Sequence, residues 1–354
     1  MSDERITVDH PRVHAPGVYF GLSAEEYHAA LALSATGCKQ LRQSTMDFWA
    51  RSAALNPDYQ PEQTEAQAIG TAYHTRIVEG ADAFIARYAP ELDPDEYPDA
   101  LRTIAELTEA LAEHLEKPAP RALKAEIIQQ LRRCDPDVVI WDELVQMHAE
   151  MTAGKKLLKS WLVDEIEKAA AMIEEHSQLR HAFRDGYPEV SVFWIDEETG
   201  VPCKSRFDYL KPQAVIDLKS FGNAQGLPIR KAIARAIALW RYHVQAAFYL
   251  EAAAAARQMV RSGDVHGGFD LAFLRAFADA SDTTFLFVFE QTKVHVARGI
   301  VMPPGILLDL ANVEIEEAKR AFLRCWRKYG TAPWLDEEDI TALDPAEVPT
   351  WISQ

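Results

Sequence analysis

The sequence predicts an α/β protein in which a central mixed β-sheet is flanked by helices. Five runs rich in β-branched and aromatic residues predict strands, at 190–195, 201–210, 214–219, 284–290 and 294–300. The first three runs are separated only by short turn-forming segments, which is typical of an antiparallel meander. Apolar residues that recur every three to four positions predict helices at 64–79, 229–258 and 305–329.

The same patterns predict how the chain is organised. Residues 1–22 contain Pro11, Pro16 and Gly17 and are predicted to form an irregular arm. One main domain is expected over 23–335, followed by a C-terminal tail at 336–354. Two stretches rich in Ala, Leu, Glu and Lys predict a helical insertion within that domain, at about 100–183.

Charge is unevenly distributed along the chain. The 354 residues carry a formal net charge of −17, which is unusual for a protein that binds nucleic acid. Residues 204–241 contain eight Lys and Arg but only two Asp, so this window is +6 and the remainder is −23. A local basic track on an acidic body would hold phosphates in one channel and repel them elsewhere, although a chance cluster on a solvated face remains the alternative.

The chain offers no sign of membrane insertion or of a cysteine-based metal site. No apolar run approaches the roughly eighteen residues of a membrane helix, and the N-terminus does not resemble a signal peptide. The four cysteines are scattered and form no C-x-x-C pair, which predicts reduced thiols rather than a zinc site, an iron–sulfur site or disulfides. We therefore expect a cytoplasmic protein.

Two carboxylates and one lysine meet in the predicted meander. Asp217 and Lys219 are two apart on one strand and share a face, and Asp208 lies on the neighbouring strand. Close carboxylates repel each other unless a cation joins them, and oxygen ligands suit Mg²⁺, with Mn²⁺ as a substitute. An ordinary ion pair is the simpler alternative, because the D-x-K triplet is common by chance.

Such a constellation suits the hydrolysis of a phosphodiester. The metal would polarise the scissile phosphate and lower the pKa of a bound water, and the backbone carbonyl of Leu218 would be a further ligand. Lys219 would either orient the water or stabilise charge that develops on the phosphate.

Further candidate residues lie outside the meander. His74 follows Gly70 by one helical turn and is a candidate metal ligand, or a partly buried helix histidine. Glu189 precedes the first meander strand and is another candidate ligand, or a plain strand-start residue. Ser34 opens a short helix, where a hydroxyl suits phosphate binding or simple capping.

A second group of candidates lies on and beside the predicted helix 229–258. Gln245 and Tyr249 are i and i+4, and Arg241 precedes them on the same face. These groups would bind a DNA phosphate or orient Lys219, or would simply pack Tyr249 into the core. Arg206 belongs to the basic track and is a second candidate for a phosphate contact.

The order of these residues resembles a known nuclease signature. Gly70-x-x-x-His74, Glu189, Asp208, Asp217-x-Lys219 and Gln245-x-x-x-Tyr249 are similar to the RecB-type motifs of the PD-(D/E)xK superfamily. The segments 69–74, 190–200 and 242–249 look still closer to the nuclease domain of RecE (exonuclease VIII), and the likeness covers about 15–330.

The resemblance implies a restriction-endonuclease-like core and a metal-dependent exodeoxyribonuclease. Enzymes of this family digest linear double-stranded DNA from the 5′ end and leave a 3′ single strand for a single-strand-annealing protein. They form rings around DNA, so a trimer or tetramer is implied. On this chain, the metal ligands would be His74, Asp208, Asp217 and the Leu218 carbonyl, with Lys219 as the catalytic lysine.

Two other functions fit the same residues. A structure- or site-specific endonuclease would use the same core, because a fold does not fix a function. A non-catalytic recombination scaffold is less consistent with the sequence, since Asp208, Asp217 and Lys219 are all present.

Overall fold

The computed structural model describes residues 10–292 and 294–335, which form two compact units. The sheet unit contains the described residues up to Thr64 and those from His176 onward. The helical unit is Glu65–Glu175. The predicted tail at 336–354 and the first part of the predicted arm lie outside the described residues.

The sheet unit is built on seven strands in the order β7-β1-β4-β5-β6-β8-β9. The β1–β7 and β6–β8 pairs are parallel, and the remaining pairs are antiparallel. The nine strands of the described chain, with β2 and β3 in the helical unit, are β1 Gly17–Tyr19, β2 Tyr88–Pro90, β3 Lys156–Leu158, β4 Tyr187–Ile195, β5 Pro202–Lys211, β6 Ala214–Phe221, β7 Val265–His266, β8 Thr284–Gln291 and β9 Val296–Met302.

Helices cover the sheet and make up most of the helical unit. Those of the sheet unit are α1 Ala24–Ala29, α2 Ala35–Gln43, α3 Thr45–Ala50, α10 Ile229–Leu239, α11 Tyr242–Ser262, α12 Leu271–Asp279 and α13 Ile306–Tyr329. Those of the helical unit are α4 Glu65–His74, α5 Ala81–Arg87, α6 Ile104–Glu113, α7 Lys124–Cys134, α8 Trp141–Met151 and α9 Ser160–Glu175. Short 3₁₀ turns lie at Pro94–Glu96 and Leu179–His181. None of the described helices is both long and apolar enough to cross a membrane.

The predicted mixed sheet flanked by helices is confirmed, and the meander is its centre. Strands β4, β5 and β6 are consecutive in the chain and adjacent in the sheet. Their inward-facing residues, such as Val190, Phe207 and Val215, are fully buried against α11 and α13. Two edge strands were not predicted, because β1 and β7 are only three and two residues long and show no alternation.

The single helix predicted at 229–258 is wrong, because the chain forms two helices there. Helix α10 ends at Leu239 and α11 begins at Tyr242. Between them Arg241 adopts a left-handed conformation with φ of 52°, which an α-helix cannot contain. The guanidinium of Arg241 contacts Glu314 on α13, and Lys39 Nζ donates to the Trp240 carbonyl at 3.3 Å. These tertiary contacts override a local sequence that is helical throughout.

The helical unit has its own small core. Leu107, Leu111, Ile127, Leu131 and Ile140 are buried together. The unit begins earlier in the chain, and ends earlier, than the insertion predicted at about 100–183. The predicted helix 64–79 is α-helical only to His74 and continues as a π-helical turn at Thr75–Glu79.

A buried lysine links the sheet to the end of α1. Lys204 is 7% exposed, and its ammonium donates to the carbonyls of Tyr27 and Ala30 at 2.8 and 2.7 Å. These carbonyls lie in the last turn of a helix, where a cation is favourable. Burial nevertheless lowers the pKa of Lys204 to about 8.

Because of Lys204, we expect the stability of the protein to rise with pH in the alkaline range. Because its pKa is about 10.5 in an unfolded chain and lower in the folded one, the unfolded chain binds the extra proton between about pH 8 and 10.5. The free energy of unfolding should therefore rise over this window by up to about 3 kcal/mol relative to Lys204→Met. Urea unfolding at pH 7.5 and 10 measures the difference. Lys168→Met, at an exposed position, should show the same change in unfolding free energy with pH as wild type. If Lys204→Met also showed the wild-type change, Lys204 would not be its cause.

Candidate active site

The strand register brings three carboxylates together at one place in the sheet. The pairs Pro188–Tyr209 and Val190–Phe207 set Glu189 opposite Asp208 across β4 and β5. The pair Tyr209–Ile216 likewise makes Asp208 and Asp217 the next opposite positions across β5 and β6. Opposite residues of an antiparallel pair share a face, so this register places the three acidic residues on neighbouring positions of three adjacent strands.

The ladder opens where the acidic residues lie. The backbone N–H of Leu218 donates to Asp208 Oδ2 at 2.8 Å, so a carboxylate takes the place of a backbone acceptor. Glu189 has a positive φ of 56°, an unfavourable conformation for a residue with a side chain. Such conformations concentrate at functional sites. Carboxylate oxygens of Glu189 and Asp208 lie within 4.8 Å of each other, close enough for one cation to bind both.

Arg206 of β5 forms an ion pair with Glu189, one member of the acidic cluster. Its guanidinium contacts the Glu189 carboxylate and donates to the Leu22 carbonyl at 2.9 Å. Its side chain is only 16% exposed. The arrangement holds Glu189 in place, and the DNA contact predicted for Arg206 stays a prediction.

Asp217 is the most buried member of the cluster. It is inaccessible to solvent, and its Oδ2 lies 2.5 Å from Lys219 Nζ. Gln245 Nε2 donates to Oδ1 at 2.6 Å. Each carboxylate oxygen has two lone pairs, so Asp217 can accept these bonds and still coordinate a cation.

Lys219 is held charged in this site. Burial alone would lower its pKa, but the carboxylates of Asp217 and Asp208 outweigh burial and raise the pKa above its usual value. The ammonium lies 5.0 Å from the centroid of the Tyr242 ring, a cation–π distance. A charged ammonium beside two carboxylates can donate to a phosphate oxygen or to a water, but it cannot act as a base.

Gln245 and Tyr249 form a chain of hydrogen bonds that ends on Asp217. Tyr249 is hydrogen-bonded to Gln245, and its ring packs on Phe207 and Phe285 with centroids 5.5 and 6.0 Å apart. Burial raises the pKa of Tyr249 well above its ordinary value, so the phenol stays protonated at neutral pH. This geometry favours the positioning of Gln245 and Asp217 over proton transfer by Tyr249.

The remaining predicted residues lie at helix ends. Ser34 caps α2, where its Oγ accepts from the Gly37 N–H at 3.2 Å, so the capping alternative is present. Arg241 immediately precedes α11 and is paired with Glu314, which offsets the charge predicted to face DNA. His74 is the last residue of α4 and belongs to the helical unit, and its role as a ligand stays a prediction.

The structure adds Lys39, which sequence reasoning missed. Lys39 lies on α2, and the charges of Lys219 and Asp217 both affect its pKa, which burial and Lys219 lower. Nothing in the sequence marks it, because α2 lies 165 or more residues before the D-x-K strand and meets it only in the folded chain.

The predicted basic track is less continuous than its sequence suggests. Lys204 is buried, Arg206 and Arg241 are paired with glutamates, and Lys211 Nζ donates to the His181 carbonyl at 2.7 Å. The exposed cations of this window lie on α10, at Arg230, Lys231 and Arg235.

A separate cleft of about 780 Å³ contains none of the predicted catalytic residues. It is lined by α11, α13 and the end of β4. Five carboxylates and one lysine lie on its walls, namely Asp196, Glu197, Glu198, Glu251, Glu316 and Lys319. A wall of this charge repels phosphate, so the cleft is not suited to DNA.

The fold and the site together define the class of the protein. A mixed sheet whose central strands present Asp208 and the Asp217/Lys219 pair is the arrangement of a PD-(D/E)xK nuclease-type hydrolase. Residues 34–261 match the family model described as a PDDEXK-like domain of unknown function (DUF3799), and the chain belongs to this family. No curated protein matches the chain significantly. Nucleases with PDDEXK domains typically depend on a divalent metal, and the carboxylate cluster is consistent with such dependence.

Proposed function

We propose that this protein is an Mg²⁺-dependent 5′→3′ exonuclease that degrades linear double-stranded DNA and leaves 3′ single strands for recombination. The observation that carries the proposal is the acidic site at the centre of the sheet, where carboxylate oxygens of Glu189 and Asp208 lie within 4.8 Å of each other and Asp217 is paired with the charged Lys219. Membership of the PDDEXK-like family supports the nuclease class. The exonuclease polarity and the role in phage-type recombination rest on the RecE-like sequence motifs.

The donor set fits a hard divalent cation. Glu189, Asp208 and Asp217 offer carboxylate oxygens, and we propose His74 and the Leu218 carbonyl as further ligands. Bound Mg²⁺ would polarise the scissile phosphate and acidify a water. Mn²⁺, which prefers similar oxygen ligands, should substitute.

The side chains around the proposed metal site would have separate roles. Lys219 would place its N–H donors toward the attacking water and the phosphate oxygen on which charge develops. Gln245, fixed by Tyr249, would hold the Asp217 carboxylate in one orientation through its 2.6 Å bond. Arg206 would do the same for Glu189.

Three partners belong to the proposal. The substrate is the end of a DNA duplex, the enzyme is a ring-shaped trimer or tetramer, and a single-strand-annealing protein receives the product strand. A closed ring would confine the exposed cations of α10 near the DNA while the acidic body stays outside. Gel filtration with light scattering tests the ring, and a mass of one subunit in the presence of DNA would refute it.

Digestion of end-labelled DNA tests the function. One linear duplex carries a label at the 5′ or the 3′ end, and the same DNA is supplied as a closed circle, each with Mg²⁺ or with EDTA. Early loss of the 5′ label with the circle intact is expected. Cutting of the circle would instead indicate an endonuclease, and no cleavage with Mg²⁺ or Mn²⁺ would indicate a non-catalytic scaffold.

We expect Asp208→Asn to weaken the binding of Mn²⁺ by at least about tenfold, because it removes one negative charge from the ligand set. Isothermal titration calorimetry without DNA measures this affinity. His74→Ala should weaken binding to a similar extent if the imidazole is a ligand, whereas His176→Ala, a histidine outside the motifs, should bind as wild type does. Unchanged affinity in Asp208→Asn would remove Asp208 from the metal site.

A further inference from the structure

Three cations and one carboxylate lie near one another where α2 and α13 meet the start of α11. We call Lys39 and Arg42 of α2, Arg241 before α11 and Glu314 of α13 the basic corner. Arg241 contacts Glu314 directly, and Arg42 Nη1 lies 3.9 Å from Glu314 Oε1. Three positive charges against one negative charge leave the corner at +2, the charge that attracts a phosphate.

His243 also borders the basic corner but adds no charge at neutral pH. Its Nε2 lies 3.9 Å from Glu314 Oε1. Burial lowers the pKa of His243, and although Glu314 opposes this effect, the pKa stays below its ordinary value.

Lys39 is a cation of the corner that keeps unused donors next to the candidate catalytic residues. An ammonium carries three N–H groups. Among the residues that the structure describes, Lys39 Nζ donates only to the Trp240 carbonyl, at 3.3 Å. A half-buried ammonium with two remaining donors is suited to an anionic ligand with several oxygens.

Lys39 also lies next to the candidate catalytic lysine. Trp240, its acceptor, is two residues before Tyr242, whose ring centroid lies 5.0 Å from Lys219 Nζ. Burial and the positive charge of Lys219 lower the pKa of Lys39, whereas the carboxylate of Asp217 opposes them. The two ammonium groups are thus close enough to affect each other, and an anion near both would be attracted by both.

Arg241 carries two marks of a functional position. It holds a left-handed backbone conformation with φ of 52° although it is not glycine. Its Nε atom is buried and has no acceptor among the described residues. The conformation directs the start of α11, and with it Gln245, toward Asp217.

We propose that the basic corner binds a backbone phosphate of the DNA strand next to the scissile one, with Lys39 as its principal contact. The inference rests on the proposed nuclease function and deepens it, because it assigns a second phosphate site to the same substrate. Lys219 would face the phosphate that is cut, and Lys39 would fix its neighbour, so the strand is held at two points.

The salt dependence of DNA binding tests this inference. The affinity for a short duplex is measured in EDTA by fluorescence anisotropy between 50 and 300 mM NaCl, on the order of the range in which phosphate contacts are lost. Lys39→Gln keeps a donor for the Trp240 carbonyl but removes the charge. It should lower the affinity at 100 mM salt by about tenfold and reduce the log–log salt slope by about 0.9.

Two further variants separate the charge of Lys39 from its place in the fold. Lys39→Arg should keep the wild-type slope. Arg51→Gln, directly after the adjoining helix α3, removes a 62% exposed cation that is paired with Asp47, and its slope should also be unchanged. A wild-type slope in Lys39→Gln, or wild-type protein that binds no DNA, would overturn the inference. Because binding is measured without metal, wild-type protein that binds DNA but never cleaves it would refute only the proposed nuclease.

Discussion

Lys219→Ala should lower the rate of Mg²⁺-dependent cleavage of linear duplex DNA by about 10²- to 10³-fold, the usual cost of losing one preorganised donor. The same variant should bind the metal more tightly. Lys219 Nζ lies 2.5 Å from Asp217 Oδ2, so the ammonium competes with a cation for that carboxylate. Removal of the competing charge leaves Asp217 and Asp208 with uncompensated negative charge, which a divalent cation offsets.

The opposite directions of the two effects distinguish a catalytic role from a structural one. Single-turnover cleavage assays measure the rate, and calorimetry with Mn²⁺ measures the affinity. Lys211→Ala is the matched control, because Lys211 lies on the same meander but donates to the His181 carbonyl, away from the carboxylates. Cleavage by Lys219→Ala within threefold of the Lys211→Ala rate would show that Lys219 is not catalytic.

The part of the site that could be predicted is the part that local geometry determines. Strand periodicity places Asp217 and Lys219 on one face, and the short turn at 211–213 makes Asp208 their cross-strand neighbour. Both relations follow from the covalent chain and a two-residue period. The same reasoning located the meander and the long C-terminal helix to within about three residues.

The parts that could not be predicted depend on contacts between distant segments. Lys39 approaches Lys219 only because α2 packs against α11. The break at Arg241 arises from Glu314 on α13, whereas the local sequence favours an unbroken helix. The positive φ of Glu189 and its pairing with Arg206 likewise require the folded sheet.

The sequence of 204–241 likewise could not show which of its cations lie on the surface. Eight cations in sequence suggested a surface track, but an isolated charge is stable in the interior only when it is paired or hydrogen-bonded. Lys204 and Arg206 meet that requirement inside the fold, so their donors bind acceptors within the protein rather than phosphate. The number of cations in a segment does not show whether they are bonded inside the fold or exposed to a ligand, whereas their burial does. The exposed cations of α10 and the basic corner are therefore the better candidates for contacts with DNA.

Lys319 of α13 should be among the most sensitive positions for stability. Its side chain is 2% exposed, and its ammonium binds Asp196, Glu316 and Glu251 at 2.6, 2.9 and 3.0 Å. Burial alone would lower the pKa of Lys319, but these carboxylates outweigh it and raise the pKa. The lysine therefore stays charged and joins α13 to α11 and to the turn after β4.

Lys319→Met should destabilise the protein by about 3–5 kcal/mol, because it leaves three carboxylates close together without their cation. Urea unfolding at pH 7 measures this loss. Arg320→Met is the matched control, since this neighbouring residue forms an exposed pair with Glu198 and its loss should cost less than about 1 kcal/mol.

The stability lost in Lys319→Met should become smaller as the pH falls. Lys319 lowers the pKa values of Asp196 and Glu251 in the folded protein, so its loss should raise both of them. The folded variant then binds more protons than the folded wild type as the pH falls, so its stability recovers relative to wild type toward acidic pH. The gap between wild type and Lys319→Met should narrow from pH 7 to pH 5. A gap that is small at pH 7, or that widens on acidification, would show that the carboxylates do not depend on Lys319 for their charge balance.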